Sequence, residues 1–187
     1  AHMGHYTGLV HFGREAYGAL RLPVYGTEKM GAFLSSNGPW DQLVRLENVV
    51  LRDFEGGAPI ELASGLNIRP IWVPHRGEYT DTVGFMVTGP NKRLLYIPDI
   101  DGWEGLDRSI EELISTVDYA LLDATFYDGS ELPTRDIEEI GHPFIVDSMA
   151  RFQALPPAER EKIVFTHLNH TNPATDPESP EARRDHR

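Results

Sequence analysis

Four apolar segments of this chain each run into a histidine or an aspartate. LNIRPIWVPH ends at His75, RLLYIPD at Asp99, DYALLDATF carries Asp123 at the end of its apolar run, and KIVFTH ends at His167. Short runs of this composition read as buried strands. A rigid strand fixes the position of the residue just past its end, and that is where functional side chains concentrate. A single His or Asp at a strand end is more often a cap or a turn residue. Four of them in one chain call for a joint reading, and imidazole with carboxylate is the donor set of a zinc, manganese or iron site.

The remaining segments supply the scaffold. Leu22–Gly26, Leu46–Phe54, Pro59–Leu62 and DTVGFMVTG read as further strands, with a turn at Gly56-Gly57. Thr7–Leu20 and IEELISTV carry helical spacing, and HPFIVDSMARFQAL reads as a helix that tolerates Pro143 in its first turn. Thr27 is placed to cap a helix that Asn37-Gly38-Pro39 stops. Strands followed by helix–strand alternation predict mixed α and β layers in one domain over residues 1–187. The proline-rich charged end, NPATDPESPEARRDHR, reads as an exposed tail or the start of a further element.

Composition narrows the function classes. A net charge of −12 argues against a broad nucleic-acid-binding surface. The absence of cysteine excludes disulfides and thiolate metal sites. No apolar run approaches the ~18–20 residues of a membrane span. Eight histidines therefore become the main candidates for metal chemistry. Two of them, His2 and His5, open the chain in AHMGHYTGL, where the Met3-Gly4 turn lets both face one pocket; a frayed end with two solvated histidines is the other reading.

At this point the residues carry a resemblance. HMGHYTGL resembles the later part of the metallo-β-lactamase superfamily motif His-x-His-x-Asp-His, with His2 as the second histidine and His5 as the last. The first histidine would then stand just before Ala1, which implies a chain cut inside its metal motif. VPHRGEYTDTVGF, LLYIPDIDGWE, DYALLDATFYDGSELPTRDIEEIGHPFIVDSM and VFTHLNHTNP resemble, in order, later motifs of the coenzyme PQQ biosynthesis protein B group and, more distantly, of ribonuclease Z. Together these motifs span nearly the whole chain.

The resemblance implies an α+β fold, an αββα sandwich lacking its N-terminal sheet and cut at both ends. By the same resemblance, His2 and His75 hold one metal, His5 and His167 help to hold a second, and Asp99 bridges the two and accepts a hydrogen bond from the nucleophile. His142 and His170 are the proton donors it offers, and His170 is also a candidate to help hold the second ion. Gly4 stands where the motif has aspartate, so one ion or two is left open. Asp123 is expected to support a ligand by hydrogen bonding rather than to bind metal.

The implied cofactor is a divalent metal, zinc first, with iron or manganese as alternatives. The implied activity is hydrolysis of an ester, amide, lactone or phosphodiester of a small molecule in the cytoplasm, with a homodimer as the candidate assembly. An iron-dependent oxidation of the PQQ-biosynthesis type and a catalytically silent binding or carrier protein are the alternatives. Glu78, Tyr79 and Asp81 read as loop residues that either wall a pocket or face solvent. Trp40, Trp72 and Trp103 read as core or rim, and His11 and His186 as structural or exposed.

Overall fold

The computed structural model of the protein describes residues 2–54, 57–63, 65–133 and 141–184. By its internal contacts the chain divides into two compact units, Ala1–Ala58 with Gly77–Thr82, and Pro59–Arg76 with Val83–Arg187. Among the described residues no helix is long and apolar enough to cross a membrane. His186 and part of the Gly56-Gly57 turn lie outside the described residues.

The first unit is built on two parallel strands, β1 (Leu22–Gly26) and β2 (Val49–Asp53), in register from Leu22 opposite Val49 to Gly26 opposite Asp53. Parallel strands need a crossover, supplied here by α1 (Glu28–Ser36) and α2 (Trp40–Arg45). Thr27 caps α1 as its sequence position predicts: its hydroxyl oxygen accepts from the Met30 N–H at 3.2 Å and donates to Asp81. The helix ends where Asn37 folds its side-chain amide back onto the Phe33 carbonyl at 2.9 Å. Leu34, Leu43, Val49 and Phe54 are buried, and Tyr6 packs edge-on against Phe33 and Trp40.

The expected helix over Thr7–Leu20 is not formed. Only a 3-10 segment, Thr7–Phe12, appears. Gly8, Gly13 and Gly18 dilute the helical propensity of this stretch, and Gly18 sits at φ +61, outside the right-handed helical region. The short helix α2, hidden behind the helix-stop signal at Asn37–Pro39, was not legible.

The second unit is a six-stranded sheet in the order β3-β4-β5-β6-β7-β8. Its strands are β3 (Ile60–Ala63), β4 (Leu66–Trp72), β5 (Val83–Thr88), β6 (Arg93–Ile97), β7 (Tyr119–Asp123) and β8 (Ile163–Thr166). The pairs from β3 to β6 are antiparallel; β6–β7 and β7–β8 are parallel. It follows that β4, β6, β7 and β8 all run the same way, with β5 returning between β4 and β6. Their C-terminal ends share one edge of the sheet, so the residues following them emerge together.

Leu95 and Ile97 of β6 and Ala120 and Leu122 of β7 line one face of the sheet and are fully buried against α3 (Ile110–Ser115) and Phe152 of α4 (Ile145–Phe152). The alternate positions Tyr96 and Tyr119 are exposed, so these strands are buried on one face and not on both. Two short helices complete the unit, α5 (Pro157–Arg160) and α6 (Pro180–Arg184). The helix expected from His142 starts only at Ile145, because Phe144 is held as extended chain beside Phe126. Pro143 consequently precedes the helix rather than sitting in its first turn.

Two expectations test this framework. A Cβ at Gly84 in β5 would lie 2.8 Å from both Ile97 Cγ1 and the Tyr96 carbonyl oxygen, whereas one at Gly31 in α1 meets nothing within 4 Å. Gly84→Ala should therefore cost about 1–3 kcal/mol by overpacking, and Gly31→Ala should stabilise by about 0.4–1 kcal/mol. Urea unfolding compares them, and equal effects would contradict the packing of β5 on β6.

Arg151 of α4 donates to Glu111 of α3 through Nε at 2.6 Å and Nη2 at 3.4 Å. That guanidinium holds the Glu111 carboxyl below its ordinary value. A lowered carboxyl contributes stability above the unfolded pKa of about 4.3 and loses it as pH falls through the folded value. Arg151→Met should thus cost about 0.5–1 kcal/mol at pH 7 and less at pH 3. An equal loss at both pH values would show that the charge pair is not the cause.

Candidate metal centre

The shared edge of the sheet gathers the polar residues at the strand ends. Asp123 closes β7, Asp99 lies two residues past β6, His75 three past β4 and His167 one past β8. His142 arrives by a different route. The Ile145 N–H donates to the Phe126 carbonyl at 3.0 Å and the Val146 N–H to the Tyr127 carbonyl at 3.1 Å. These bonds fasten the start of α4 alongside the chain leaving β7, which brings His142 over Asp123.

Asp123 is the hub. It is 0% exposed. Its Oδ2 accepts from the Ile100 N–H at 3.0 Å and from His142 Nδ1 at 2.8 Å; its Oδ1 accepts from the Thr125 N–H at 2.8 Å and the Thr125 hydroxyl at 2.7 Å. Four donors occupy both oxygens, which is how a buried carboxylate becomes tolerable. One of the four donors is the His142 ring, so Asp123 orients that imidazole.

The three histidines are held in one manner. His75 Nδ1 lies 2.6 Å from Asp101 Oδ1, His142 Nδ1 lies 2.8 Å from Asp123 Oδ2, and His167 Nδ1 lies 2.8 Å from the Thr125 hydroxyl. An ionised carboxylate only accepts, so Nδ1 carries the proton in His75 and His142. Nε2 is then the ring nitrogen that faces away from these partners, and in His75 it faces Asp99.

His75 has its side chain 1% exposed, and its Nε2 lies 3.1 Å from Asp99 Oδ1. Burial pushes this imidazole pKa down, but the hydrogen bonds and charges of Asp99 and Asp101 outweigh it, and the net shift is upward. His142 Nδ1 also lies 3.6 Å from Asp99 Oδ1. The His142 ring centroid is 5.6 Å from that of His75 and 6.0 Å from that of His167. One ligand atom each from Asp99, Asp123, His142 and His167 falls within 4.8 Å of the others. Buried carboxylate and imidazole at this spacing, with the imidazoles fixed through Nδ1, form a donor set that fits a divalent cation.

His170 is not among these residues. It is exposed, its Nδ1 3.0 Å from the Asn169 side-chain oxygen. His2 and His5 belong to the first unit. They flank the turn Met3–Gly4, closed by the His5 N–H on the His2 carbonyl at 3.0 Å, and His2 Nε2 lies 3.1 Å from Glu78 Oε2. A Cβ at Gly4 meets nothing within 4 Å, and its φ is not positive, so a side chain fits there. His11 is exposed. Trp103 is core, its indole N–H donating to Ser148 at 2.9 Å, while Trp72 is exposed. Tyr79 is exposed with its ring near Phe33, and Asp81 accepts from Thr27.

Three supporting residues were missed in the sequence. Asp101 orients His75 and Thr125 faces His167; each lies two residues past an aspartate, the spacing of a side chain that turns back onto its own loop. Gly141 is the third. A Cβ there would lie 2.6 Å from Asp101 Oδ1, so a side chain at this position would push aside the carboxylate that holds His75.

Comparison with known proteins bears on the family and the fold. The chain is 27% identical over 167 residues to coenzyme PQQ synthesis protein B of Methylorubrum extorquens, covering 80% of this chain and 55% of the relative. It is 28% identical over 184 residues to the protein of the same name from Nitrosococcus oceani, covering 84% and 59%. It thus spans somewhat more than half the length of these relatives. Among solved structures, Zn(2+)-bound PqqB from Methylobacterium extorquens matches 99% of this chain and 63% of its own, with a TM-score of 0.72 and 23% identity. A diphosphatase of the PhnP family matches 93% and 60%, with a TM-score of 0.56 and 21% identity. The family model for the beta-lactamase superfamily domain matches residues 1–168. The chain belongs to the beta-lactamase superfamily and has the metallo-β-lactamase fold.

Proposed function

We propose that this protein is a metal-dependent hydrolase acting on a small molecule. The observation that carries the reading is the meeting of His75, Asp99, His142 and His167 at one sheet edge, with the imidazoles fixed through Nδ1. In this reading His75, Asp99 and His167 are metal ligands, and the resemblance of the opening motif adds His2 and His5. Zinc is the favoured ion, with iron or manganese the alternatives. A bound divalent ion supplies a water of lowered pKa and polarises a carbonyl or phosphoryl oxygen.

The chain's own residues do the rest. Asp99 orients the attacking water by accepting its proton in a hydrogen bond. His142 is favoured over His170 as the proton donor to the leaving group. Its Nδ1–H is anchored on Asp123, which steadies a positive charge on the ring and directs Nε2 outward for proton exchange. His170 lacks such an anchor: its Nδ1 meets a neutral side-chain amide on the protein surface. Esters, amides, lactones and phosphodiesters all suit this arrangement. The diphosphatase among the structural neighbours makes phosphoesters the first to assay. A cytoplasmic setting is part of the proposal.

The relatives named for coenzyme PQQ synthesis favour a second reading, an iron-dependent oxidation by O₂ on the same residues. The test uses the whole chain, loaded with zinc or, anaerobically, with iron. Zinc-loaded protein should hydrolyse bis-p-nitrophenyl phosphate or p-nitrophenyl acetate and lose the activity to a chelator. Asp99→Asn and His75→Ala should each lose at least about 100-fold in rate and lower metal content, while the exposed His11→Ala should do neither. Oxygen uptake by the iron form without hydrolysis by the zinc form would replace the first reading with the second. Failure of the wild type to bind any metal would leave a binding or carrier protein.

A further inference from the structure

We infer that Thr125 is a positioning residue that sets the tautomer of His167, so that its Nε2 carries the lone pair offered to a metal. The inference rests on the reading of the strand-end cluster as a metal centre. Asp123 Oδ1 accepts two bonds from one residue, the Thr125 N–H at 2.8 Å and the Thr125 hydroxyl at 2.7 Å. A hydroxyl has a single proton, and here it goes to the carboxylate. The same oxygen lies 2.8 Å from His167 Nδ1 and can only accept there. His167 must therefore donate from Nδ1. The opposite assignment would turn the hydroxyl proton toward the ring and leave the hydroxyl and carboxylate oxygens facing each other 2.7 Å apart with no proton between them.

His75 and His142 meet a carboxylate directly, and any acceptor-only group would fix their tautomers. His167 meets a hydroxyl, which by itself accepts or donates equally well. Its tautomer is decided one step away, by Asp123. One buried carboxylate thus orients two imidazoles, His142 directly and His167 through Thr125.

The geometry around the relay leaves little freedom. The Thr125 carbonyl accepts from the Asn169 N–H at 3.0 Å and from the Asn172 side-chain amide at 3.3 Å. Asn172 is itself buried and holds the Ala124 carbonyl at 2.9 Å. The Ala124 N–H donates to the Thr166 carbonyl at 2.9 Å. These bonds clamp the turn after β7 to the turn after β8 on both sides of His167, whose φ of +65 is a left-handed backbone that side-chain-bearing residues adopt rarely. This backbone places the ring against the hydroxyl.

Thr125→Val removes the hydroxyl and keeps the branched shape; Thr125→Ser keeps the hydroxyl. Imidazole ¹⁵N NMR of the metal-free whole chain should show neutral His167 protonated at Nδ1 in the wild type and the serine variant, and a mixture or the Nε2–H form in the valine variant. Zinc affinity by competition with a chromophoric chelator should fall about 10–100-fold in Thr125→Val and stay within about 3-fold in Thr125→Ser. An Nε2–H tautomer in the wild type overturns the inference outright, even if the valine variant does not fold. An unchanged tautomer and affinity in a folded Thr125→Val overturns it while leaving the metal centre standing. A wild type that binds no zinc brings down the metal centre, and the inference with it, whatever the tautomer.

Discussion

A carboxylate with no solvent exposure is costly unless the chain surrounds it with donors, and Asp123 is such a group. Its four partners come from three places in the sequence: the backbone after β6, the turn after β7, and the segment leading into α4. Removing any of them would leave one oxygen of a buried carboxylate with a single donor. The site is thus tied to the core beneath it, since Ile100 is packed in the same cluster as Leu95, Ile97 and Leu122. Packing places the strands, the strands place the carboxylate, and the carboxylate places two histidines.

Strand direction explains why this economy works. A chain of hairpins alone would alternate its strand ends between two edges. Here β6, β7 and β8 are parallel, linked by segments that carry α3, α4 and α5, and β4 runs with them across the antiparallel β5. Four carboxyl-terminal ends meet on one edge, the side of a sheet where ligands bind in open α/β folds. The sheet buries one face deeply, and its edge carries the polar chemistry. Rigidity and reactivity are thereby separated in space but joined through a few hydrogen bonds.

The strand-end residues were legible because each follows an apolar run with a clear stop, and the eight strands among the described residues overlap segments read as strands in the sequence. What the sequence could not show was the relation between runs. Nothing in DYALLDATF says that β7 pairs parallel to both neighbours, so the physical reason for a convergence that the sequence only suggested came with the sheet order. The expected helix at Thr7–Leu20 failed for a local reason, its three glycines, although its apolar spacing was sound. His142 was placed at a helix start, whereas an extended residue, Phe144, separates it from α4. Asp101, Thr125 and Gly141 went unnoticed because their roles are relational: two hold a histidine remote in sequence, and the third is defined by an atom it must not touch.

The central claim is that the strand-end cluster is a metal centre whose imidazoles are fixed through Nδ1 before any ion arrives. Crystals of the chain grown with zinc, with diffraction recorded on either side of the zinc absorption edge, test it most directly. The account predicts anomalous density about 2.0–2.1 Å from Nε2 of His75 and of His167, through one ion or two, with Nδ1 of each still on Asp101 and Thr125. Zinc bound only elsewhere on the protein, or bound through Nδ1 of these histidines, would contradict it.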